Sequence, residues 1–275
     1  MKKWLTGSLL VLTATILGAC GSDEGATEAE SLVSDDVLTV GVTGGPHEVI
    51  VEKVAELAEE QGLDFTIETQ VFADYVMPNV ALSEGEIDIN SFQTEPFFDE
   101  MNETRELELV RVGDTVTFPM GIYSLDYKEI SELPEGAKIG LPSDPTNSGR
   151  ALALFEEAGL LKVEEGVGLQ ATVMDIVENE NNYEFIELDS AQIPRQLNEL
   201  DAAAINTNFA LEAGFVPAED SIFIEPSDSP FVNLVASRIE NKDDEVITQF
   251  LELYHSDEVK QFIEEEFTGS IVPSW

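Results

Sequence analysis

Short apolar runs with strand character alternate with segments whose apolar residues recur at helical spacing. This alternation restricts the chain to the α/β class. The first unit is the clearest. Val37–Val42 (VLTVGV) reads as a buried strand, and Thr43-Gly44-Gly45-Pro46 as a turn whose proline opens a helix. Ile50, Val54, Leu57 and Ala58 then share one helical face, which Gly62 ends. Phe65–Val71 is the next strand, and a helix is predicted from Asp74, as its cap, to Ser83, stopped by Gly85. Ile87–Ile89 forms a short strand running into Asn90-Ser91-Phe92-Gln93, and Leu107–Val112 and Thr115–Ser124 are extended. The middle repeats the logic: strand Ala137–Leu141, loop Pro142–Asn147, then a helix with Ala151, Leu154, Phe155 and Ala158 inward. Strands follow at Thr172–Ile176, Tyr183–Leu188, Ala202–Ile205 and Phe231–Ser237, with a helix near Ile193–Leu200. Two helices close the chain. The second is capped by Ser256 and ends at Gly269.

Composition narrows the function. The 275 residues carry 56 Asp+Glu against 13 Lys+Arg, a formal charge of −43, so no basic face exists to displace phosphate counterions and nucleic-acid binding is excluded. One cysteine and two histidines cannot build an intramolecular disulfide or a multi-His or Cys/His metal site. Residues 1–19 read as a signal peptide: Lys2 and Lys3, then a mostly apolar Trp4–Leu17 that is too short to span a bilayer as a mature helix. Leu17-Gly18-Ala19-Cys20 resembles a bacterial lipobox, which implies lipid transfer to Cys20 and cleavage before it. Without Lys2 and Lys3 the balance is 11 basic against 56 acidic residues, −45. Residues 20–36 are small, polar and acidic, a lipidated tether whose coil spans roughly 20–25 Å. The acids are spread along the chain rather than clustered. This fits an extracytoplasmic protein of a saline or alkaline habitat, where salt screens the self-repulsion; the other reading is an acidic surface for a cationic partner.

No GxSxG, HExxH, P-loop or CxxC motif is present. His47 opens a helix and His255 lies between two helices, and both read as surface residues. A Ser–His–Asp arrangement through either is the other reading. The informative segment is Pro142–Arg150 (PSDPTNSGR), a polar loop feeding a helix with Arg150 in or near its first turn, against the helix dipole. Arg150 is one of five arginines, and a cation placed there calls for an anion: either a ligand carboxylate gripped by its fork or a structural salt bridge to one of the many acids. Asn206 and Asn233 stand beside or inside apolar strands and are satisfied either by backbone or by a ligand. Phe72, Tyr75, Phe92, Phe97 and Phe98 form an aromatic set, either core or the wall of an apolar slot.

Several stretches in this order resemble the methionine-binding lipoproteins of bacterial ABC importers, the NlpA family. They are Phe72–Asn79, Asp88–Gln93, Asp144–Arg150, Gly166–Leu169, Ala204–Thr207 and Ser229–Leu234. The resemblance implies a two-lobed α/β periplasmic-binding-protein fold of type 2 with a two-segment hinge. The crossings fall near Phe118–Gly121 and Glu225–Pro230, and the lobes are 37–118 plus 230–275, and 119–229. It implies that Arg150 holds a ligand carboxylate, helped by Asn206 and Asn233, and that Tyr75, Phe92 and Phe97 line the slot for the thioether. One departure from relatives, which often carry His-x-Pro-Tyr after Phe-Gln, is Thr94-Glu95-Pro96-Phe97. L-methionine is the first ligand, with D-methionine, a methionine dipeptide or another apolar amino acid as alternatives. The implied partners are a membrane permease, its cytoplasmic ATPase and the membrane through Cys20. No cofactor, metal or catalytic residue is implied. Two rival readings stand beside this one: a secreted α/β hydrolase using His47, and a ligand-free surface lipoprotein.

Overall fold

The sixteen-residue helix Pro46–Gln61 forms where the spacing predicts it, because both ends are specified locally. Gly45 takes φ 80° ahead of Pro46, and Gly62 takes φ 70°. The Gly62 N–H then reaches the Glu59 carbonyl and the Leu63 N–H the Ala58 carbonyl, closing orphan acceptors of the last turn. Ile50, Val51 and Val54 of this helix are fully buried, each contributing roughly 1.5–3 kcal/mol of apolar transfer.

The computed structural model describes residues 36–275. The signal peptide, Cys20 and the tether up to residue 35 lie outside the described residues. The chain runs β1 (Val37–Thr43), α1 (Pro46–Gln61), β2 (Thr66–Phe72), α2 (Met77–Glu84), β3 (Ile89–Thr94), α3 (Glu95–Arg105) and β4 (Leu109–Thr117). Then come β5 (Gly121–Tyr123), β6 (Lys138–Pro142), α4 (Pro145–Glu157), the small antiparallel pair β7 (Lys162–Val163) and β8 (Ile176–Glu178), and β9 (Glu184–Leu188). They are followed by α5 (Ile193–Gln196), β10 (Ala202–Ile205), α6 (Thr207–Glu212), α7 (Pro217–Asp220) and β11 (Ser221–Ile224). The last elements are β12 (Val232–Arg238), α8 (Glu245–Tyr254), α9 (Asp257–Glu266) and β13 (Val272–Pro273).

Six strands form one sheet in the order β13-β4-β12-β3-β1-β2, and five form another in the order β11-β5-β10-β6-β9. Each holds a parallel trio, β2-β1-β3 and β9-β6-β10, flanked by antiparallel strands. Each sheet has its own core: Val40, Ile50 and Val54 meet Phe250 and Ile263 on the first, and Ile139, Leu141, Leu152 and Phe155 fill the second. The chain passes between the sheets twice, at residues 118–120 and 225–231. This is the two-lobed α/β architecture of the periplasmic binding proteins.

Several local expectations are corrected. Thr172–Ile176 is not a strand: Val173–Asp175 is a 3-10 turn, and strand begins only at Ile176. Thr172 and Asp175 bond each other's backbone in a capping box, which outcompetes ladder pairing. The helix expected from Asp74 starts at Met77, because the Asp74 carboxylate accepts from the Val76 and Met77 N–H groups in a local turn. Helix α3 was not anticipated; its apolar residues Phe97, Phe98 and Met101 are few and sit among acids. Helix α4 begins at Pro145, inside the expected loop, with Asp144 as its cap. Arg150 therefore lies in the second turn, not the first.

Gly149 lets α4 press against the 3-10 turn Gly168–Gln170. A Cβ at 149 would lie 2.1 Å from the Leu169 carbonyl oxygen. Backbone cannot yield as a side chain does, so Gly149→Ala should lower unfolding stability by about 1–3 kcal/mol. Urea titration measures it, and an unchanged midpoint would contradict the contact.

Candidate ligand-binding site

Three strand-to-helix joins meet between the sheets at the carboxyl ends of parallel strands, where open α/β sheets bind ligands. They are β1 to α1, β6 to α4 and β10 to α6. The cavity there offers about 30 Å³ to the centre of a water-sized sphere. Arg150, Asn206, Asn233, Tyr75, Phe92 and Phe97, the residues singled out from the sequence, all line it. His47, Thr94, Asn147 and Asn208 line it as well.

Arg150 is 3% exposed and already paired. Its Nε donates to Glu225 Oε1 at 2.8 Å and its Nη2 to Glu225 Oε2 at 2.6 Å, with a further bond from Nη2 to the Phe118 carbonyl at 2.8 Å. The guanidinium stands 4.1 Å over the Phe231 ring. Glu225 in turn accepts from the Met120 N–H at 2.9 Å and from Ser229 Oγ at 3.1 Å. The fork that was expected to grip a ligand carboxylate is thus occupied by Glu225, which is the salt-bridge alternative for Arg150. It makes a buried structural salt bridge, and only Nη1 lacks a protein partner among the described residues. Phe118 and Met120 belong to one crossing segment, Glu225, Ser229 and Phe231 to the other, so this pair fastens α4 to both.

The amides share out their hydrogen bonds in a consistent way. Asn206 Nδ2 donates to Asn147 Oδ1 at 2.8 Å, and Asn147 Nδ2 donates to the cap Asp144 at 2.9 Å. Asn206 Oδ1 is left buried with no partner among the described residues. Asn233 Nδ2 donates to the Val116 carbonyl at 3.0 Å, so its donor is used on backbone while its Oδ1 stays available. Asn208 Oδ1 accepts from the Tyr75 hydroxyl at 2.6 Å, and its Nδ2 is buried without a partner among the described residues. Burial holds the Tyr75 hydroxyl well above its usual pKa, so it remains a donor. Thr207 Oγ1 bonds the Pro119 carbonyl, tying α6 to a crossing segment.

Opposite this polar group stands an aromatic wall. Tyr75 meets Phe92, Phe97 and Phe209 at ring separations of 6.0, 5.8 and 4.9 Å. Behind it, three buried amides bond one another. Asn79 Nδ2 donates to Gln93 Oε1 at 2.7 Å, while Asn79 Oδ1 accepts from Gln93 Nε2 at 2.7 Å and from Asn90 Nδ2 at 2.9 Å. This cluster pins α2 to β3 and so fixes where Phe92 points.

His47 corrects its reading as a surface residue. It is 3% exposed, packs edge-on against Phe118 at 4.5 Å and lines the cavity. Burial pushes its pKa down to about 3, so it is neutral at physiological pH. His255 is half-buried rather than a free surface residue: its Nε2 lies 2.7 Å from the Asp114 carbonyl and its ring stacks on Trp275. The sequence reading missed Asn208 and Glu225. Asn208 sits at the start of a six-residue helix, and Glu225 is one of 56 acidic residues, so no local pattern distinguishes either.

Among the described residues no cluster of three or more His, Cys, Asp or Glu could hold a metal ion, and no helix is long and apolar enough to cross a membrane. Among the described residues Asn208 Nδ2 and Asn206 Oδ1 are buried at the cavity without a partner, with Arg150 Nη1 and Asn233 Oδ1 beside them and an apolar slot opposite.

A model of the family described as NlpA lipoprotein matches residues 38–275. The D-methionine-binding lipoprotein MetQ of Yersinia pestis is 41% identical over 98% of this chain and 96% of its own length. That of Escherichia coli K12 is 40% identical over 100% and 98%. Among solved structures, a nutrient-binding protein from Burkholderia cenocepacia bound to methionine is 41% identical, with a TM-score of 0.83, covering 86% of this chain and all of that one. The methionine-binding protein MetQ superposes with a TM-score of 0.85 at 40% identity, over 87% and 98% of the two chains. The chain belongs to the NlpA lipoprotein family.

Proposed function

We propose that this protein captures methionine outside the cytoplasm and delivers it to an ABC importer, without making or breaking a bond. The observation that carries the reading is the set of unpaired groups around the cavity: a cationic donor beside two amide oxygens, facing aromatic rings. A free α-amino acid supplies the complement. Its carboxylate accepts from Arg150 Nη1, its ammonium donates to Asn206 Oδ1 and Asn233 Oδ1, and an apolar side chain lies on Tyr75, Phe92 and Phe97. A buried polar atom without a partner, such as Asn206 Oδ1, costs about 1–3 kcal/mol, so a ligand that satisfies it gains that much in addition to its burial. A thioether adds sulfur–aromatic contacts of about 0.3–1.5 kcal/mol. The names of the relatives and the methionine in the Burkholderia structure support this choice of side chain.

The lobes rotate about residues 118–120 and 225–231, and the ligand stabilises the closed form by its differential affinity. Lipid on Cys20 holds the body at the outer face of the cell membrane. The closed form docks on the permease, whose ATPase supplies the energy. The rival hydrolase fits less well: His47 meets the Phe118 ring, not a carboxylate that would orient it or a hydroxyl that it would activate.

A melting-temperature screen tests the reading. L- or D-methionine should raise the transition. N-acetylmethionine lacks the ammonium and methioninamide lacks the carboxylate, so each should bind about ten- to a hundredfold more weakly, as befits a charged hydrogen bond worth about 1.5–3 kcal/mol. Equal shifts with the blocked analogues would end the amino-acid reading.

His47 generates a pH prediction. Its folded pKa of about 3 lies below the ordinary 6.5. Between these values the unfolded chain binds a proton that the native protein refuses, so stability is lost as pH falls below 6.5. The slope approaches about 1.4 kcal/mol per pH unit. Between pH 6.5 and 5 the His47→Gln variant should show a flatter dependence in urea titrations. An unchanged slope would place the His47 ring in water.

A further inference from the structure

Tyr75 and Asn208 belong to different lobes. Tyr75 lies between β2 and α2, whereas Asn208 lies in α6, after the chain has crossed to the second sheet. Their side chains nevertheless meet, the Tyr75 hydroxyl donating to Asn208 Oδ1 at 2.6 Å. The Tyr75 ring also lies 4.9 Å from that of Phe209 in the same helix. Neither contact involves a crossing segment, so both would break in any opening of the lobes about those segments. Asn208 is 3% exposed, lines the cavity, and keeps a buried Nδ2 with no partner among the described residues. With its oxygen turned to Tyr75, the amide has only its nitrogen left for the cavity.

We propose that Asn208 is a ligand-binding residue aimed by Tyr75: the hydrogen bond between them latches the lobes over the ligand and presents the Asn208 amide N–H to the ligand carboxylate, alongside Arg150 Nη1. The proposal rests on the amino-acid-binding reading above. Tyr75 acts in two places, with its ring in the wall of the slot and its hydroxyl in the latch. A contact made only in the closed form acts on release, not on encounter.

The test uses the full-length protein and labelled L- and D-methionine, with calorimetry for affinity and release timed after an excess of unlabelled ligand. Tyr75→Phe keeps the ring and loses the latch. Release should become about tenfold faster, with the association rate held within about twofold, a split that damage to the fold would not produce. Asn208→Ala loses both latch and donor and should weaken binding about a hundredfold. Asn208→Asp keeps an acceptor for Tyr75 but sets a negative charge where the donor stood, so it should bind more weakly than Asn208→Ala. Wild-type release from Tyr75→Phe overturns the latch. Wild-type affinity in Asn208→Asp overturns the donor role. A wild-type protein that binds neither enantiomer overturns the methionine reading itself, and the proposal with it.

Discussion

The ion pair between Arg150 and Glu225 is the joint on which the two lobes are assembled. Each crossing segment is short and irregular and would be free to pivot on its own. Glu225 gathers them: its carboxylate takes the Met120 N–H from one segment and Ser229 Oγ from its own, and its backbone N–H bonds the Met120 carbonyl. Arg150 completes the joint from α4. A buried pair of this kind gains little net stability over an apolar replacement, yet losing one partner costs about 3–5 kcal/mol because the other charge is stranded. Its value here is positional. It fixes the second lobe's helix to the pivot, and hence places the polar end of the cavity beside the axis about which the lobes turn.

The aromatic end is held differently. No charge is involved; three interlocked amides, Asn79, Asn90 and Gln93, set the wall that carries Phe92, and Tyr75 spans the gap to α6. The polar end of the cavity therefore lies beside the crossing segments, and the aromatic end lies toward α6.

Much of this was legible in the sequence. Strand–turn–helix units at residues 37–61 and 138–157 announce themselves through apolar period, proline and glycine, since those signals are local. Asn206 and Asn233 stood out as amides in apolar strands, and both line the cavity. Arg150 stood out through its rarity in an acidic chain, although its partner did not: nothing within a few residues of Glu225 separates it from the other acids, because its role is created by a residue 75 positions away. His47 was read as a surface group because helix starts usually are exposed, and here the start is roofed by Phe118 of the crossing. The 3-10 turn at Val173–Asp175 escaped because side-chain caps overrode the apolar alternation. Asn208 escaped because its partner, Tyr75, lies on the far lobe.

The unlike chemistry of surface and interior has a further consequence. Among the described residues Glu225 is the only acidic side chain in the buried set. The cavity is made of carboxamides, phenyl rings, a neutral imidazole and one self-compensated pair. Ions crowding or leaving the acidic coat alter solvation and colloidal behaviour, yet they find almost no net monopole inside to act upon. Recognition and environmental tolerance are thereby uncoupled: salt that gathers on or leaves the acidic coat acts on the outside of the protein and not on the groups around the cavity.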